Sequence, residues 1–247
     1  MKLISLIPAI DLDKCIGCII CSDVCPTLAI SLADKKAVVK EADCRGCGAC
    51  EQRCPVYCIT MQRLAAPYRV SIAIDDLPYA GIAALCAKAN LNPEQIICYC
   101  TATRAEEVAS AILKGATSPE EISRKTGVRT GCKVECIQPV LRLLQAAGIT
   151  PERPPGCQWY GLTPAVWNIP EKVKAKYDSR GFYFEEDIEL FKKVVAAKPR
   201  PPANKARWGE KPGDKPGSPA SKTHRGVKPG RPASKASRTA KPKRRDR

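Results

Sequence analysis

The sequence predicts an α+β chain: a small N-terminal region containing strands, then a small all-α region, then a disordered basic tail. Three observations predict it. One cysteine run occurs twice within the first 55 residues. Residues 93–148 carry helix start and stop signals in close succession. Residues 198–247 are Pro, Lys, Arg, Ala, Ser and Gly with almost no large apolar side chains, so they cannot bury enough surface to offset chain entropy.

The first run is Cys15-Ile16-Gly17-Cys18-Ile19-Ile20-Cys21-Ser22-Asp23-Val24-Cys25-Pro26, and the second is Cys44-Arg45-Gly46-Cys47-Gly48-Ala49-Cys50-Glu51-Gln52-Arg53-Cys54-Pro55. Both read C-x2-C-x2-C-x3-C-P, and each cysteine of the second lies 29 residues after its counterpart. This spacing suits a 4Fe-4S cluster, whose four irons each need one thiolate. Two intervening residues let a tight loop aim three sulfurs at one cluster. Gly17 and Gly46 give the backbone room to approach it, and the proline after the fourth cysteine turns the chain away. A zinc site has no use for a third cysteine three residues on. A disulfide framework would need an oxidising compartment, which nothing in the sequence suggests.

On these residues, the segment from 1 to about 62 resembles a bacterial two-cluster ferredoxin. The repeat extends beyond the cysteines, since Cys25-Pro26-Thr27-Leu28-Ala29-Ile30 matches Cys54-Pro55-Val56-Tyr57-Cys58-Ile59. The resemblance implies that one 4Fe-4S cluster takes Cys15, Cys18, Cys21 and Cys54, and the other Cys44, Cys47, Cys50 and Cys25. Cys58 stands where the first half has Ala29 and is expected to be a small buried side chain.

The chain has 247 residues and a formal net charge of +16. That charge is unevenly placed: residues 198–247 hold 17 Lys and Arg against three Asp and Glu, while residues 1–197 hold 24 against 22. The basicity belongs to the tail, which could dock on an acidic protein surface, an anionic membrane or nucleic acid. Fifteen cysteines, most of them in metal-ligand spacings, imply reduced thiols, an anaerobic or reducing setting and a cytoplasmic location. The start, Met1 to Ile10, is too short an apolar run for a signal peptide and is expected as a strand.

Five segments follow: 1–62 as above, 63–92 as a connection, 93–148 as the helical region, 149–197 as an aromatic extension and 198–247 as the tail. In the connection, Tyr68 to Ile74 alternates like a strand, and Ala80 to Ala89, with Cys86 as a buried thiol, reads as a helix. Asn92-Pro93-Glu94-Gln95 looks like a helix start. Thr103-Arg104-Ala105-Glu106 and Ser118-Pro119-Glu120-Glu121 look like capping boxes, and Gly127 and Gly148 like helix stops. Glu185 to Ala197 reads as a final helix with Ile188, Phe191 and Val195 on one face.

Within the helical region, Cys98-Tyr99-Cys100 is followed by Cys132-Lys133-Val134-Glu135-Cys136. The order of the C-x-C pair, Glu106-Glu107-Val108, Ala111 to Ala116, Ser118 to Ile122, Thr130-Gly131-Cys132 and a closing leucine-rich helix resembles the bacterioferritin-associated-ferredoxin-like 2Fe-2S domain. That resemblance implies a 2Fe-2S cluster on Cys98, Cys100, Cys132 and Cys136. The family's second pair is usually C-x2-C, whereas this one is C-x3-C. A last helix beginning before Cys136 would bring the pair to one side, and Cys157 is a spare thiol.

No G-x-G-x-x-G fingerprint or phosphate loop is found, and the single histidine, His224, lies in the tail. No catalytic residue is therefore expected. The acidic pairs Glu106-Glu107 and Glu120-Glu121 are expected to complement helix dipoles. The reading that results is an electron-transfer protein or a non-catalytic oxidoreductase subunit with two 4Fe-4S clusters and one 2Fe-2S cluster. By resemblance its partner is a flavoprotein dehydrogenase or a multi-subunit reductase. The alternatives are a redox-sensing DNA-binding regulator, suggested by the helix–turn–helix look of 104–127 and the basic tail, although only Arg124 and Lys125 qualify as reading residues, and a cluster-carrier or assembly factor.

Overall fold

A computed structural model describes residues 2–153 and 161–198 of the chain. The expected disordered tail, apart from Lys198, and the spare Cys157 lie outside the described residues.

The N-terminal strand β1 (Lys2–Ile10) pairs antiparallel with β4 (Ile59–Val70). Their register runs from Ile10 opposite Ile59 to Leu6 opposite Arg63, then jumps to Ile4 opposite Tyr68. Leu64 to Pro67 bulge out of the ladder, where the missing N–H of Pro67 costs no pairing. The expected strand over Tyr68 to Ile74 is corrected here. Tyr68 to Val70 finish β4, and the ladder ends because Val70 already faces Lys2 at the start of β1. Ile72 and Ile74 leave the sheet and pack half-buried on the helical core.

Between these strands lies the repeat. The single-turn helices α1 (Ile20–Asp23) and α2 (Ala49–Arg53) sit inside the two cysteine runs. A hairpin of β2 (Ile30–Ala33) and β3 (Lys36–Val39) separates the runs. Asp34 and Lys35 both have positive φ, as a two-residue hairpin turn requires. The duplication shows in the backbone: positive φ recurs at Gly17 and Gly46, at Ile19 and Gly48, and at Leu28 and Tyr57. Gly17 could not be another residue without strain, because its ideal Cβ would stand 2.2 Å from the Lys35 carbonyl oxygen.

The second region contains α3 (Tyr79–Lys88), β5 (Ile96–Cys98), β6 (Thr103–Arg104), α4 (Ala105–Leu113), α5 (Pro119–Thr126) and α6 (Ile137–Ala146). Its core is built from Ile82, Val108, Ile112, Ile122, Val140 and Leu144, all fully or almost fully buried. The helix expected at Ala80–Ala89 is α3, and it joins this core. The all-α expectation is corrected by the β5–β6 hairpin. The helix start expected at Asn92–Gln95 is a turn instead. The Asn92 carboxamide accepts from the Glu94 N–H, a local bond that competes with helix formation.

The caps shift by small steps. Arg104, not Thr103, is the N-cap of α4, where the Glu107 carboxylate accepts from the Arg104 N–H at 2.8 Å. Thr103 instead shares a 2.7 Å hydrogen bond with Thr101. At α5 the Ser118 hydroxyl accepts from the Glu121 N–H as expected, and the Glu121 carboxylate accepts from the Thr117 N–H at 2.7 Å. Gly127 and Gly148 take the left-handed conformation that ends helices.

Two more helices follow, α7 (Glu171–Asp178) and α8 (Phe184–Ala196). The last matches the final helix of the sequence reading. Asn92 donates to the carbonyls of Val194, Val195 and Ala197, tying the end of α8 to the turn before β5. Phe191 packs edge-on to Trp167, and the Arg142 guanidinium lies over the same indole at 5.5 Å. Among the described residues, no helix is long and apolar enough to cross a membrane.

Candidate metal centres

Two hollows of similar size lie in the N-terminal region. One is lined by Cys15, Cys18, Cys21 and Cys54, with Cys58 beside them. The other is lined by Cys25, Cys44, Cys47 and Cys50. The last cysteine of each run thus stands in the hollow of the other run. Neither lining contains His, Asp or Glu. Among the described residues no three His, Cys, Asp or Glu side chains converge closely enough to hold one metal ion. Linings whose metal-ligating side chains are all cysteines fit a thiolate-ligated cluster.

Backbone amides point at these sulfurs with the same period. The Ala29 N–H donates to Cys25 Sγ at 3.3 Å, and 29 residues later the Cys58 N–H donates to Cys54 Sγ at 3.4 Å. Gly46 donates to Cys44 Sγ at 3.4 Å. Such bonds favour thiolate over thiol. The N–H groups of Ala37 and Gly17 hold the Cys15 thiol below its ordinary range. Burial acts the other way, raising Cys21 and Cys44 and pushing Cys50 up to about 12. Metal loading must therefore displace protons from the buried members. Cys58 is buried as expected, 3.5 Å from Cys54 Sγ.

The third group gathers at the start of the helical region. Cys98 ends β5, Cys100 lies in the turn before β6, and Cys132 and Cys136 flank the turn into α6. Cys136 is the N-cap of α6 and does not lie inside it. The extra residue of the C-x3-C pair is absorbed in this turn, where Lys133 takes a left-handed conformation. Cys98 and Cys136 are buried and Cys100 and Cys132 exposed, so the group has an inner and an outer pair. The Cys136 thiol donates to Cys98, and with Thr101 and the Arg129 N–H it lowers Cys98 to about 5; the same bond raises Cys136. In the outer pair the Cys132 N–H donates to Cys100 Sγ at 3.3 Å. Gly131 lies against Cys100 so closely that an ideal Cβ would stand 2.7 Å from its sulfur.

The third group faces the Cys25/Cys44/Cys47/Cys50 hollow across a seam. Arg45 Nε donates to the Arg124 carbonyl at 2.7 Å, and Arg124 approaches Asp43 at 3.6 Å. Lys133 donates to the carbonyl of Val24, the neighbour of Cys25. Lys2 Nζ donates to the Thr130 carbonyl at 3.1 Å and its hydroxyl at 2.7 Å. A cleft along the seam has both Cys25 and Cys132 in its wall. Burial lowers the Lys2 pKa, while its neighbours Cys47, Cys44, Cys98 and Cys100 act to raise it.

Several residues around these groups escape sequence reasoning. Glu120, expected as a first-turn acid that complements the helix dipole, is also buried in an ion pair with Arg129 at 2.9 Å, because the loop after α5 folds back over the helix start. Glu106 is also buried, against Arg104 at 3.2 Å. Lys2 and Lys36 carry no motif; each binds backbone carbonyls distant in sequence, which only the fold brings near. Gly131 does carry a signal, as the small residue directly before Cys132.

Two segments of the chain match family models. Residues 7–55 match the model described as a 4Fe-4S dicluster domain, and residues 96–146 match the BFD-like [2Fe-2S] binding domain. No curated protein and no solved structure matches the chain. The two matched segments name the cofactors, 4Fe-4S in the first and 2Fe-2S in the second, and such domains point to an electron-transfer role. The chain carries, in this order, a 4Fe-4S dicluster domain and a BFD-like [2Fe-2S] binding domain.

Proposed function

We propose that the chain is an electron carrier or a non-catalytic oxidoreductase subunit with three clusters in series. Cys15, Cys18, Cys21 and Cys54 hold the first 4Fe-4S cluster, and Cys44, Cys47, Cys50 and Cys25 the second. Cys98, Cys100, Cys132 and Cys136 hold a 2Fe-2S cluster. When bound, these clusters supply one-electron oxidation and reduction. The residues around them bind thiolates, donate N–H groups to sulfur and exclude water from the inner cysteines.

The observation that carries this reading is the pairing of two hollows whose metal-ligating side chains are all cysteines, each completed by a cysteine of the other run. The partner is a flavoprotein dehydrogenase or a multi-subunit reductase, an inference from the kinds of protein on which BFD-like domains dock. The location that suits this reading is a reducing cytoplasm, where cysteines in metal-ligand spacings stay reduced. The DNA-regulator alternative gains nothing from the fold. The Arg124 guanidinium is turned to Asp43 at the seam, and Lys125, though exposed, donates to the Lys114 carbonyl of its own region.

Anaerobic purification with iron and sulfide quantitation tests the reading. About ten irons per chain fit two cubanes and one binuclear centre. About eight irons, with no binuclear signal in stepwise-reduction EPR, would remove the third site.

A further inference from the structure

Lys2 opens β1, and β1 covers the loop between Cys44 and Cys47. Gly46 of that loop approaches the strand so closely that an ideal Cβ would lie 2.5 Å from the Leu6 carbonyl oxygen. Tyr68, opposite Ile4 in the ladder, donates to the Cys44 carbonyl. From this strand the Lys2 side chain crosses the seam. Its stem lies against Gly127, where a Cβ would come within 2.7 Å of Lys2 Cβ. Its ammonium ends on Thr130, two residues before Cys132. Among the described residues no carboxylate pairs with Lys2. The groups that act to raise its pKa are cysteines of both sites, Cys47 and Cys44 on one side and Cys98 and Cys100 on the other.

We propose that Lys2 is an electrostatic bridge, one positive charge held between the second 4Fe-4S site and the 2Fe-2S site that favours the reduced form of both. The proposal rests on the cluster assignments above. Thiolate-ligated clusters are anionic and become more so by one charge on reduction, so two close together oppose each other's reduction. A cation fixed between them and partly withdrawn from water offsets that repulsion with little screening by salt. The first 4Fe-4S site has a different lysine. Lys36 Nζ donates to the carbonyls of Leu12 and Cys15, each at 2.7 Å.

The test is an EPR-monitored redox titration of the full chain carrying Lys2→Gln, Lys2→Arg or Lys36→Gln. Glutamine keeps a donor for Thr130 and removes the charge, so it separates tuning from simple pinning. With Lys2→Gln, the midpoints of the 2Fe-2S centre and of one 4Fe-4S centre should move negative. The other 4Fe-4S centre should stay, and it should be the one that Lys36→Gln shifts. Lys2→Arg should restore the parent values. Full iron with unmoved potentials in Lys2→Gln would overturn the proposal. So would loss of iron in Lys2→Gln, which would make the lysine a structural pin. Absence of the three centres from the parent chain would instead refute the cluster assignments.

Discussion

Gly131→Ala tests the least regular site. Gly131 has no left-handed φ, so alanine meets no backbone penalty there, and replacing a compatible glycine is worth about 0.4–1 kcal/mol in stability. The obstacle is local. The new Cβ would stand 2.4 Å from Cys100 Cβ and 2.7 Å from Cys100 Sγ, where ordinary contact begins at 3.4 Å. Cys100 must retreat by roughly 1 Å, whereas metal–ligand distances tolerate only about 0.2 Å. The variant should fold and keep its cubanes but lose the 2Fe-2S cluster. Iron should fall by about two per chain and the binuclear EPR signal should vanish, with the apoprotein's thermal midpoint near the parent value. Full iron and an unchanged binuclear signal would refute the assignment of Cys100 as a ligand.

Two further outcomes follow from the same geometry. Gly17→Ala adds a left-handed alanine, costing about 1–2 kcal/mol, and a clash with the Lys35 carbonyl oxygen at 2.2 Å. It should remove the first cubane and about four irons, leaving the second cubane measurable by EPR. Arg129→Met strands the buried Glu120 carboxylate, whose second oxygen already has no hydrogen-bond partner among the described residues. It should cost about 3–5 kcal/mol in urea unfolding of the apoprotein, and adding Glu120→Leu should recover most of that.

The cluster-bearing parts were legible because their chemistry is local. The spacing within one run and the 29-residue period suffice to place two equivalent loops, and the positive φ values at Gly17/Gly46 and Leu28/Tyr57 follow that period. Helix ends marked by Ser118, Gly127 and Gly148 were equally local. The errors arose where a partner far away in sequence decided the outcome. Tyr68 to Ile74 alternates like a strand, but β1 supplies a ladder only as far as Val70. Asn92-Pro93-Glu94 resembles a helix start, but its side chain is used in a turn and at the end of α8. Glu120 looks like any first-turn acid until Arg129 returns to it over nine residues. The seam was invisible for the same reason, since Lys2 and Thr130 are 128 residues apart.

That seam makes two similar loops unequal. Ile16, Ile19 and Ile20 of the first run correspond to Arg45, Gly48 and Ala49 of the second. The three isoleucines are exposed, while Arg45 is spent on the carbonyl of Arg124. Ile19 even holds a left-handed conformation where the second run has glycine, a cost of about 1–2 kcal/mol that the sheltered loop avoids. A duplicated loop free of other demands would settle on the same low-strain residues twice. The difference is accounted for if the second loop is shaped to receive the 2Fe-2S domain, with small residues and one arginine reaching across. Under the proposed assignments, the second cubane is then the interior member of the series. Charge placed at the seam, above all on Lys2, reaches it and the binuclear site together, and the first cubane answers to Lys36 instead.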